Sequence, residues 1–196
     1  MGPFVTLFDL VFALAFLASA ASLLAAALFA IFRRGARALH ILKIWAMSAA
    51  VYFTLLLAVS FAQPQHVLHV GDLRCWDDWC LTVENVRQSP ENGRARYDVA
   101  LRISSHALRV SQRALDAKVY LVDHQGRRYD PLPDDSAIPL NILLHPGESI
   151  PTSRTFTLPP DAREVGLIAN HGVGPASFII GDESSFFHKR TVVKFP

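Results

Sequence analysis

The sequence predicts a membrane α-hairpin followed by an all-β sandwich, and two observations indicate this fold class. The chain begins with two apolar stretches, Leu10 to Phe32 and Ile44 to Ala62, each close to the roughly 20 residues that a helix needs to cross a bilayer. The rest of the chain has short runs of β-forming residues separated by Gly, Pro, Asp and Asn, the rhythm of a sandwich. We therefore expect a two-helix transmembrane anchor over residues 1–62 and one domain over residues 63–196.

The connection between the two apolar stretches is basic, and this predicts how the hairpin is oriented. Its basic residues are Arg33, Arg34, Arg37 and Lys43. Among the residues before Leu10, the only charged side chain is that of Asp9. Because positive residues are retained on the cytoplasmic side, we expect a short cytoplasmic loop in a bacterial inner membrane. The amino terminus and the domain after Ala62 are then periplasmic.

A signal peptide is the alternative to a permanent first helix. The triplet Ala18-Ser19-Ala20 resembles a signal-peptidase site, but the basic segment that precedes a signal sequence is missing. The apolar run also continues far beyond the triplet, to Phe32. The sequence therefore favours a helix that is retained.

The basic character of the chain belongs to the hairpin. The first 62 residues contain four basic and one acidic side chain, and the remainder contains 15 basic and 16 acidic ones. The exported domain is thus slightly acidic, and the isoelectric point of about 8.7 reflects membrane topology. We expect the lipid bilayer and an integral membrane protein complex as partners, and no nucleic acid.

Both predicted helices repeat residues of one kind at four-residue spacing. The first carries Phe4, Phe8, Phe12 and Phe16 followed by Ala18, Ser22, Ala26 and Ala30, and the second carries Ala46, Ala50, Thr54 and Ala58. Small residues at this spacing let two helix backbones approach closely in lipid. We predict that the two small-residue stripes face each other. The alternative, which is compatible with the first, is that a stripe meets a separate membrane protein.

Nine segments after the hairpin have the composition of strands. They are His66 to Val70, Leu81 to Arg87, Arg96 to Ser104, Lys118 to Val122, Arg127 to Tyr129, Thr152 to Leu158, Val165 to Ala169, Ser177 to Ile180 and Thr191 to Phe195. Alternation is clearest from Tyr97 to Ile103, where the odd positions are apolar, as in a strand with one face on a core. The segments Asp123 to Gly126 and Pro146-Gly147 predict turns.

Several short motifs of this region resemble a bacterial family of domains of unknown function. They are the run from Gly71 to Val83, Tyr97-Asp98-Val99, the turn from His145 to Ser149 with Phe156 to Pro159, and the ending from Ile180 to Ser184. The resemblance implies a membrane-anchored or lipid-anchored immunoglobulin-like β-sandwich. It brings no catalytic residues. The full expectation is therefore a membrane α-hairpin followed by an all-β immunoglobulin-like sandwich.

The two cysteines, Cys75 and Cys80, lie within one hexapeptide of the exported domain. An oxidising compartment and a loop of four intervening residues favour a local disulfide. A zinc site with His66 and His69 is the alternative. The residues between the cysteines, Trp76, Asp77, Asp78 and Trp79, predict either an exposed docking tip or tryptophans packed in the core.

The sequence has no nucleophile elbow, P-loop, HExxH helix or dinucleotide fingerprint. We therefore expect a non-catalytic accessory subunit without a cofactor, which docks on a larger inner-membrane complex of respiratory or photosynthetic type. Its sandwich would brace the periplasmic face of that complex. The alternative is a free-standing envelope sensor or receptor whose sandwich binds a ligand.

Overall fold

The computed structural model describes residues 7–171 and 175–195, which form two compact units. The helical unit contains residues 7–64 together with residues 175–189. The sandwich unit contains residues 65–171 and 190–195. This division departs from the predicted one at two places, because residues 63 and 64 and residues 175–189, which the sequence assigned to the sandwich, belong to the helical unit.

The helical unit is built on two helices, α1 (Leu7–Ile31) and α2 (Gly35–Ala62). Both are long and apolar enough to cross a membrane by length and composition. Helix α2 begins nine residues before the predicted Ile44. The basic residues Arg37 and Lys43 therefore lie on α2, and only residues 32–34 connect the helices, in place of the predicted loop of about ten residues.

The connection is short because α1 ends in a Schellman motif. Arg33 adopts a left-handed conformation with φ 54°. The Arg33 amide donates to the Ala30 carbonyl at 3.0 Å, and the Arg34 amide donates to the Phe29 carbonyl at 2.8 Å. Two arginines at the carboxyl end of α1 also complement the negative end of its dipole. The basic connection thus ends one helix and begins the next within three residues.

The sandwich unit contains two sheets. Its strands are β1 (Val67–His69), β2 (Leu73–Trp76), β3 (Trp79–Glu91), β4 (Arg94–Ser105), β5 (Ala117–Val122), β6 (Arg128–Tyr129), β7 (Ser149–Leu158), β8 (Gly166–His171) and β9 (Val192–Lys194). One sheet has the order β2-β3-β4-β7 and the other has the order β1-β9-β8-β5-β6. The strands pair antiparallel, apart from β1 and β9, which pair parallel.

One hydrophobic core lies between the two sheets. The predicted alternation in β4 is confirmed, since Tyr97, Val99, Leu101 and Ile103 are all buried. They belong to the same buried cluster as residues of both sheets. Its members from the other strands include Leu81, Val83, Val119, Leu121, Phe156, Leu158, Leu167 and Val193. The domain is therefore a β-sandwich by its own packing.

Left-handed residues close the hairpins. Asn92 and Gly93 both have positive φ and join β3 to β4, as a two-residue turn of type I′ requires. The predicted turn at Asp123 to Gly126 is confirmed between β5 and β6, and Gly147 with φ 74° forms the predicted turn before β7. These turns set the register of both sheets.

One observed strand was not predicted, and one predicted strand is absent. The strand without a prediction is β2, which pairs with β3 through Trp76 and Trp79. The predicted strand from Ser177 to Ile180 is wrong, because a 3-10 helix occupies Pro175–Phe178 and this part of the chain belongs to the helical unit.

Candidate functional site

The two helices of the hairpin enclose a cleft of about 360 Å³. From α1 it is lined by Phe12, Ala15, Phe16, Ala18, Ser19 and Ser22, from α2 by Ile44, Trp45, Ser48, Ala49, Tyr52 and Phe53, and from the 3-10 helix by Phe178. Among the lining residues of α2, Trp45, Ala49 and Tyr52 are half-buried at spacings of four and three. These three residues define the inner face of α2.

The predicted contact between two small-residue stripes is wrong for α2. Its four stripe residues are all exposed: Ala46, Ala50, Thr54 and Ala58. On α1 the stripe is divided, because Ala26 is buried and Ser22 is half-buried, whereas Ala18 and Ala30 are exposed. The α2 stripe therefore points away from the inner face, and we call it the outer stripe.

The choice of face on α2 has a polar reason. This reason is Tyr52, whose hydroxyl has a partner on the inner face in the Phe178 carbonyl at 2.6 Å. The indole Nε1 of Trp45 is buried on the same face without a hydrogen-bond partner among the described residues, so Trp45 does not contribute to this reason. Thr54 on the outer stripe needs no partner from another element, since its hydroxyl donates to the Ala50 carbonyl of its own helix at 2.8 Å. The outer stripe can therefore face an apolar environment without an unsatisfied hydroxyl.

The predicted phenylalanine series of α1 lies on a largely exposed surface. Phe8 and Phe16 are exposed and Phe12 is half-buried, whereas Phe4 lies outside the described residues. Leu14 and Leu24 on α1 and Met47 on α2 are also more than half exposed. The hairpin thus presents a continuous apolar surface, which a protein in water does not normally expose at this size.

Residues 175–189, here called the returning segment, pack on α2. The ring of Phe178 makes edge-to-face contacts with Phe53 at 6.3 Å and with Phe186 at 5.2 Å, and Phe187 stacks on Phe61 at 5.7 Å. These contacts explain why the predicted strand at 177–180 does not form. Its apolar side chains are used against a helix that precedes it by more than a hundred residues.

Hydrogen bonds also hold the returning segment to α2. The Ser60 and Ser185 hydroxyls lie 3.3 Å apart, and both side chains are buried. The Phe186 amide donates to the Ser177 carbonyl, and the Ser185 amide donates to the Asp182 carbonyl. The segment therefore satisfies part of its own backbone and has two hydroxyl contacts with the helix, at Tyr52 and at Ser60.

In the sandwich unit the predicted disulfide between Cys75 and Cys80 is present, with the sulfurs 2.06 Å apart. The two cysteines are opposite each other in the β2–β3 pair. Asp77, with φ 52°, and Asp78 form the two-residue turn of this hairpin, which requires a left-handed residue. The disulfide and the turn together fix the end of the β2–β3 hairpin.

The tryptophans beside the disulfide are packing residues more than docking residues. Trp79 is 2% exposed and belongs to the core, which supports the core alternative for this residue. Trp76 is half-buried between the Arg74 guanidinium, 4.2 Å from its ring, and the His171 ring at 5.9 Å. Asp77 is the most exposed part of the predicted docking tip.

The alternative zinc site takes a different form from the predicted one. The structure gathers Cys75, Cys80 and His106, with ligand atoms within 4.8 Å of one another, and not His66 or His69. Since the two sulfurs are joined in the disulfide, they are not available as thiolate ligands. The described residues thus favour the disulfide over the metal at this hairpin.

A buried carboxylate organises the turn between β5 and β6. Burial desolvates Asp123, which by itself would raise its pKa, but hydrogen bonds from Arg127, Tyr129 and Gln125 outweigh this and lower the pKa to about 2. Arg127 also donates to Asp161 at 2.8 Å, and its own pKa is raised by the two carboxylates. This network has the character of a structural clamp, because Arg127 joins the β5–β6 turn to Asp161 in the connection between β7 and β8.

The sandwich unit has a cleft of about 510 Å³ beside β5. Three cationic side chains line it, Lys118, Arg128 and Arg154, together with Asp130 and Asn141. Arg128 donates to Asp130, and Arg154 donates to the Ile138 carbonyl at 2.9 Å. Burial lowers the pKa of Arg154. The cleft therefore combines concavity with an excess of positive charge.

Comparisons with known proteins identify no family. No family model matches the chain, and no curated protein matches it. Solved structures with some similarity include an uncharacterized β-sandwich protein from Clostridium difficile, with 15% identity over 68% of this chain and 96% of that chain, at a TM-score of 0.45.

Two further solved structures match this chain over their whole length. One is a secreted protein from Mycobacterium tuberculosis, with 11% identity over 68% of this chain and a TM-score of 0.46. The other is the yjhA protein from Bacillus subtilis, with 13% identity over 67% of this chain and a TM-score of 0.40. The sandwich assignment therefore rests on the two sheets and their shared core, and the immunoglobulin-like family resemblance stays a prediction.

Proposed function

We propose that this protein is a non-catalytic, membrane-anchored accessory subunit. In this proposal the hairpin spans a bacterial inner membrane and docks sideways on a larger membrane protein complex, and an immunoglobulin-like sandwich braces the periplasmic face of that complex. The observation that carries the proposal is the outer stripe of α2, because its small residues are exposed and not used within the hairpin.

The dimensions and exposure of the helices support a membrane span. The 25 residues of α1 and 28 residues of α2 correspond to lengths of about 37 and 42 Å, longer than the roughly 30 Å of a hydrocarbon core. Only 6% and 11% of their most apolar windows are buried. A bilayer would cover this apolar surface favourably, and this supports the proposed span.

The charges and the disulfide support the proposed orientation. Arg33, Arg34 and Arg37 are at the connected end of the hairpin, and this supports a cytoplasmic position for that end. The disulfide of Cys75 and Cys80 belongs to the other side, since disulfides persist in the oxidising periplasm. Both signals lead to the same topology independently.

The geometry of the outer stripe supports the proposed sideways docking. In lipid, helix association depends on close van der Waals packing, and small residues every four positions allow it. Ala46, Ala50 and Ala58 offer such a groove, and Thr54 is satisfied within its own helix. A partner helix would pack there without displacing α1, which occupies the inner face.

A non-catalytic role is supported by how the acidic groups that could serve in catalysis are used. Asp123 is held by the turn network, and Asp134 accepts hydrogen bonds from the hydroxyl and the amide of Ser136. Those bonds lower the pKa of Asp134, most strongly the one from the hydroxyl. Both carboxylates thus stabilise loops.

Co-purification in mild detergent tests the docking. The double variant Ala50→Ile/Ala58→Ile fills the outer stripe, and we expect it to reduce recovery of a partner complex at least tenfold. The matched control Ala13→Ile/Ala21→Ile makes the same two replacements at exposed positions of α1, outside the outer stripe, and should leave recovery unchanged. Equal recovery with all variants, or recovery of this polypeptide alone from wild-type membranes, would contradict the proposal.

The cleft beside β5 favours a second candidate function, a receptor for a small anion. Lys118, Arg128 and Arg154 would supply the attraction, with one carboxylate, Asp130, opposing it. Melting of the full chain with increasing succinate or inorganic phosphate tests this candidate. A rise of the melting temperature that is lost in Lys118→Ala would support a receptor. No shift with either anion would count against it.

A further inference from the structure

The returning segment has the composition of a membrane-interface element. After residues 175–177 it contains the apolar Phe178, Ile179 and Ile180, then a polar turn at residues 181–185, and then Phe186 and Phe187 close before the basic Lys189. Aromatic residues next to a lysine are typical of segments that lie at the boundary between headgroups and acyl chains.

The segment lies alongside the part of α2 that is apolar. Phe178 contacts Phe53, and Phe187 stacks on Phe61. Phe53 and Phe61 are eight residues apart, which corresponds to about 12 Å along the helix axis. The segment therefore extends over the carboxyl-terminal third of α2, within the stretch predicted to lie in the bilayer.

The aromatic side chains of the segment are only partly covered by the protein. Phe178 is 39% exposed, Phe186 is 44% exposed and Phe187 is 68% exposed. The neighbouring Phe61 on α2 is exposed to a similar extent, 67%. These rings continue the apolar surface of the helix, so that the solvent that covers the helix also covers them.

Irregular backbone at membrane depth requires internal partners, and several backbone groups of the returning segment have them. The Phe178 carbonyl accepts a hydrogen bond from the Tyr52 hydroxyl. Ser185 meets Ser60, and the Phe186 amide is bonded to the Ser177 carbonyl. The polar turn is nearest the end of α2, where Gly181 lies close to Gln63.

We infer that the returning segment is a re-entrant membrane element. It enters the periplasmic leaflet from the sandwich domain, and phospholipid acyl chains cover its exposed phenylalanines. Phe178, beside Phe53, lies deeper than Phe187, beside Phe61, and the polar turn lies at the headgroups. This inference rests on the proposed membrane span of the hairpin. It gives the sandwich a second attachment to the membrane besides the chain connection after α2.

Hydroxyl-radical footprinting of the unmodified full chain tests the inference first. The protein is placed in nanodiscs of phosphatidylethanolamine and phosphatidylglycerol, with no partner complex present. Phe16, 65% exposed on α1, is the lipid standard, and Leu108, 92% exposed on the sandwich, is the water standard. After correction for intrinsic reactivity, we expect Phe186 and Phe187 to match Phe16 and to be oxidised at least fivefold less than Leu108. Oxidation at the level of Leu108 would overturn the inference.

Spin labels then measure depth in the same nanodiscs. Both native cysteines are in the disulfide, so Phe178→Cys, Phe187→Cys, Val51→Cys and Leu108→Cys each add one free thiol. We expect collisions with oxygen to exceed those with a water-soluble nickel complex at positions 178, 187 and 51, and the reverse at 108. The label at 178 should be the deeper of the two segment labels.

The controls separate the two possible failures. If the label at 51 is in lipid and the label at 187 is in water, the re-entrant element is refuted while the membrane span stands. If the label at 51 is also in water, the span and the inference fail together. Equal depths at 178 and 187 would refute the re-entrant path.

Discussion

The Tyr52 hydroxyl donates a hydrogen bond to the Phe178 carbonyl at 2.6 Å, across 126 residues of sequence. The bond joins an apolar helix to a segment that the chain reaches only after eight strands of the sandwich. It places Tyr52 on the inner face of α2, and so leaves the outer stripe free. One hydroxyl thereby connects the packing of the hairpin with the surface that we propose for docking.

Removing this hydroxyl should loosen the returning segment. We expect Tyr52→Phe to keep the ring contact with Phe53 and to lose about 1 kcal/mol of segment stability, the usual net value of one hydrogen bond. This corresponds to about fivefold faster hydrogen exchange of the Phe186 amide, measured by mass spectrometry. The control Thr54→Val removes a hydroxyl that bonds only within α2 and should leave this exchange rate unchanged.

The disulfide should contribute modestly to the stability of the sandwich. Because it closes a loop of only six residues, loop-closure entropy predicts about 2 kcal/mol. We expect Cys75→Ala/Cys80→Ala to unfold at lower urea concentration, with the change followed by near-ultraviolet circular dichroism. Reduction of the wild-type protein should produce the same shift. A reduced wild type as stable as the oxidised protein would contradict this expectation.

Acid should weaken the turn between β5 and β6. The folded pKa of Asp123, about 2, lies below the ordinary value near 3.9. The ionised carboxylate therefore stabilises the fold fully above about pH 4, and this contribution is lost as the pH falls toward 2. We expect Asp123→Asn to cost about 2 kcal/mol at neutral pH and to flatten the loss of stability between pH 4 and 2. The control Asp130→Asn alters an exposed carboxylate and should retain the wild-type profile.

A methyl group does not fit at Gly166. An added Cβ would lie 2.5 Å from Val192 Cγ2 and 3.0 Å from the Val193 carbonyl oxygen, in the contact between β8 and β9. We expect Gly166→Ala to destabilise the sandwich by about 1 to 3 kcal/mol, measured by urea unfolding. In the background of Val192→Ala the additional cost should be smaller, because one of the two clashing atoms is gone. If Gly166→Ala costs the same stability in both backgrounds, the clash with the Val193 carbonyl oxygen alone accounts for the cost.

Local pattern was sufficient for much of the fold. The apolar runs predict both helices, and alternation in β4 predicts which of its side chains enter the core, because these signals depend on near neighbours in sequence. The Asn92-Gly93 pair is a signal for the β3–β4 hairpin that the sequence analysis did not use. It fixes the register through the two positive φ angles.

Two features depend on long-range packing and could not be predicted from sequence pattern: the conformation of residues 177–180 and the inner face of α2. The run from Ser177 to Ile180 has strand composition, but its partner is α2, and no local signal indicates a helix as partner. The orientation of α2 depends likewise on Tyr52 finding a distant carbonyl, so small-residue spacing alone predicted the wrong inner face. The disulfide could be predicted because both cysteines lie in one hexapeptide, whereas the role of Trp79 depended on its burial.

Thiol accessibility in native membranes tests the central claim most directly. Leu108→Cys and Arg34→Cys each place one free thiol, on the sandwich and on the helix connection respectively. With a membrane-impermeant maleimide, the account predicts labelling at position 108 in intact spheroplasts and labelling at position 34 only in inverted vesicles. Labelling of position 34 in intact spheroplasts, or of position 108 only in inverted vesicles, would contradict a hairpin that spans the membrane with its sandwich in the periplasm.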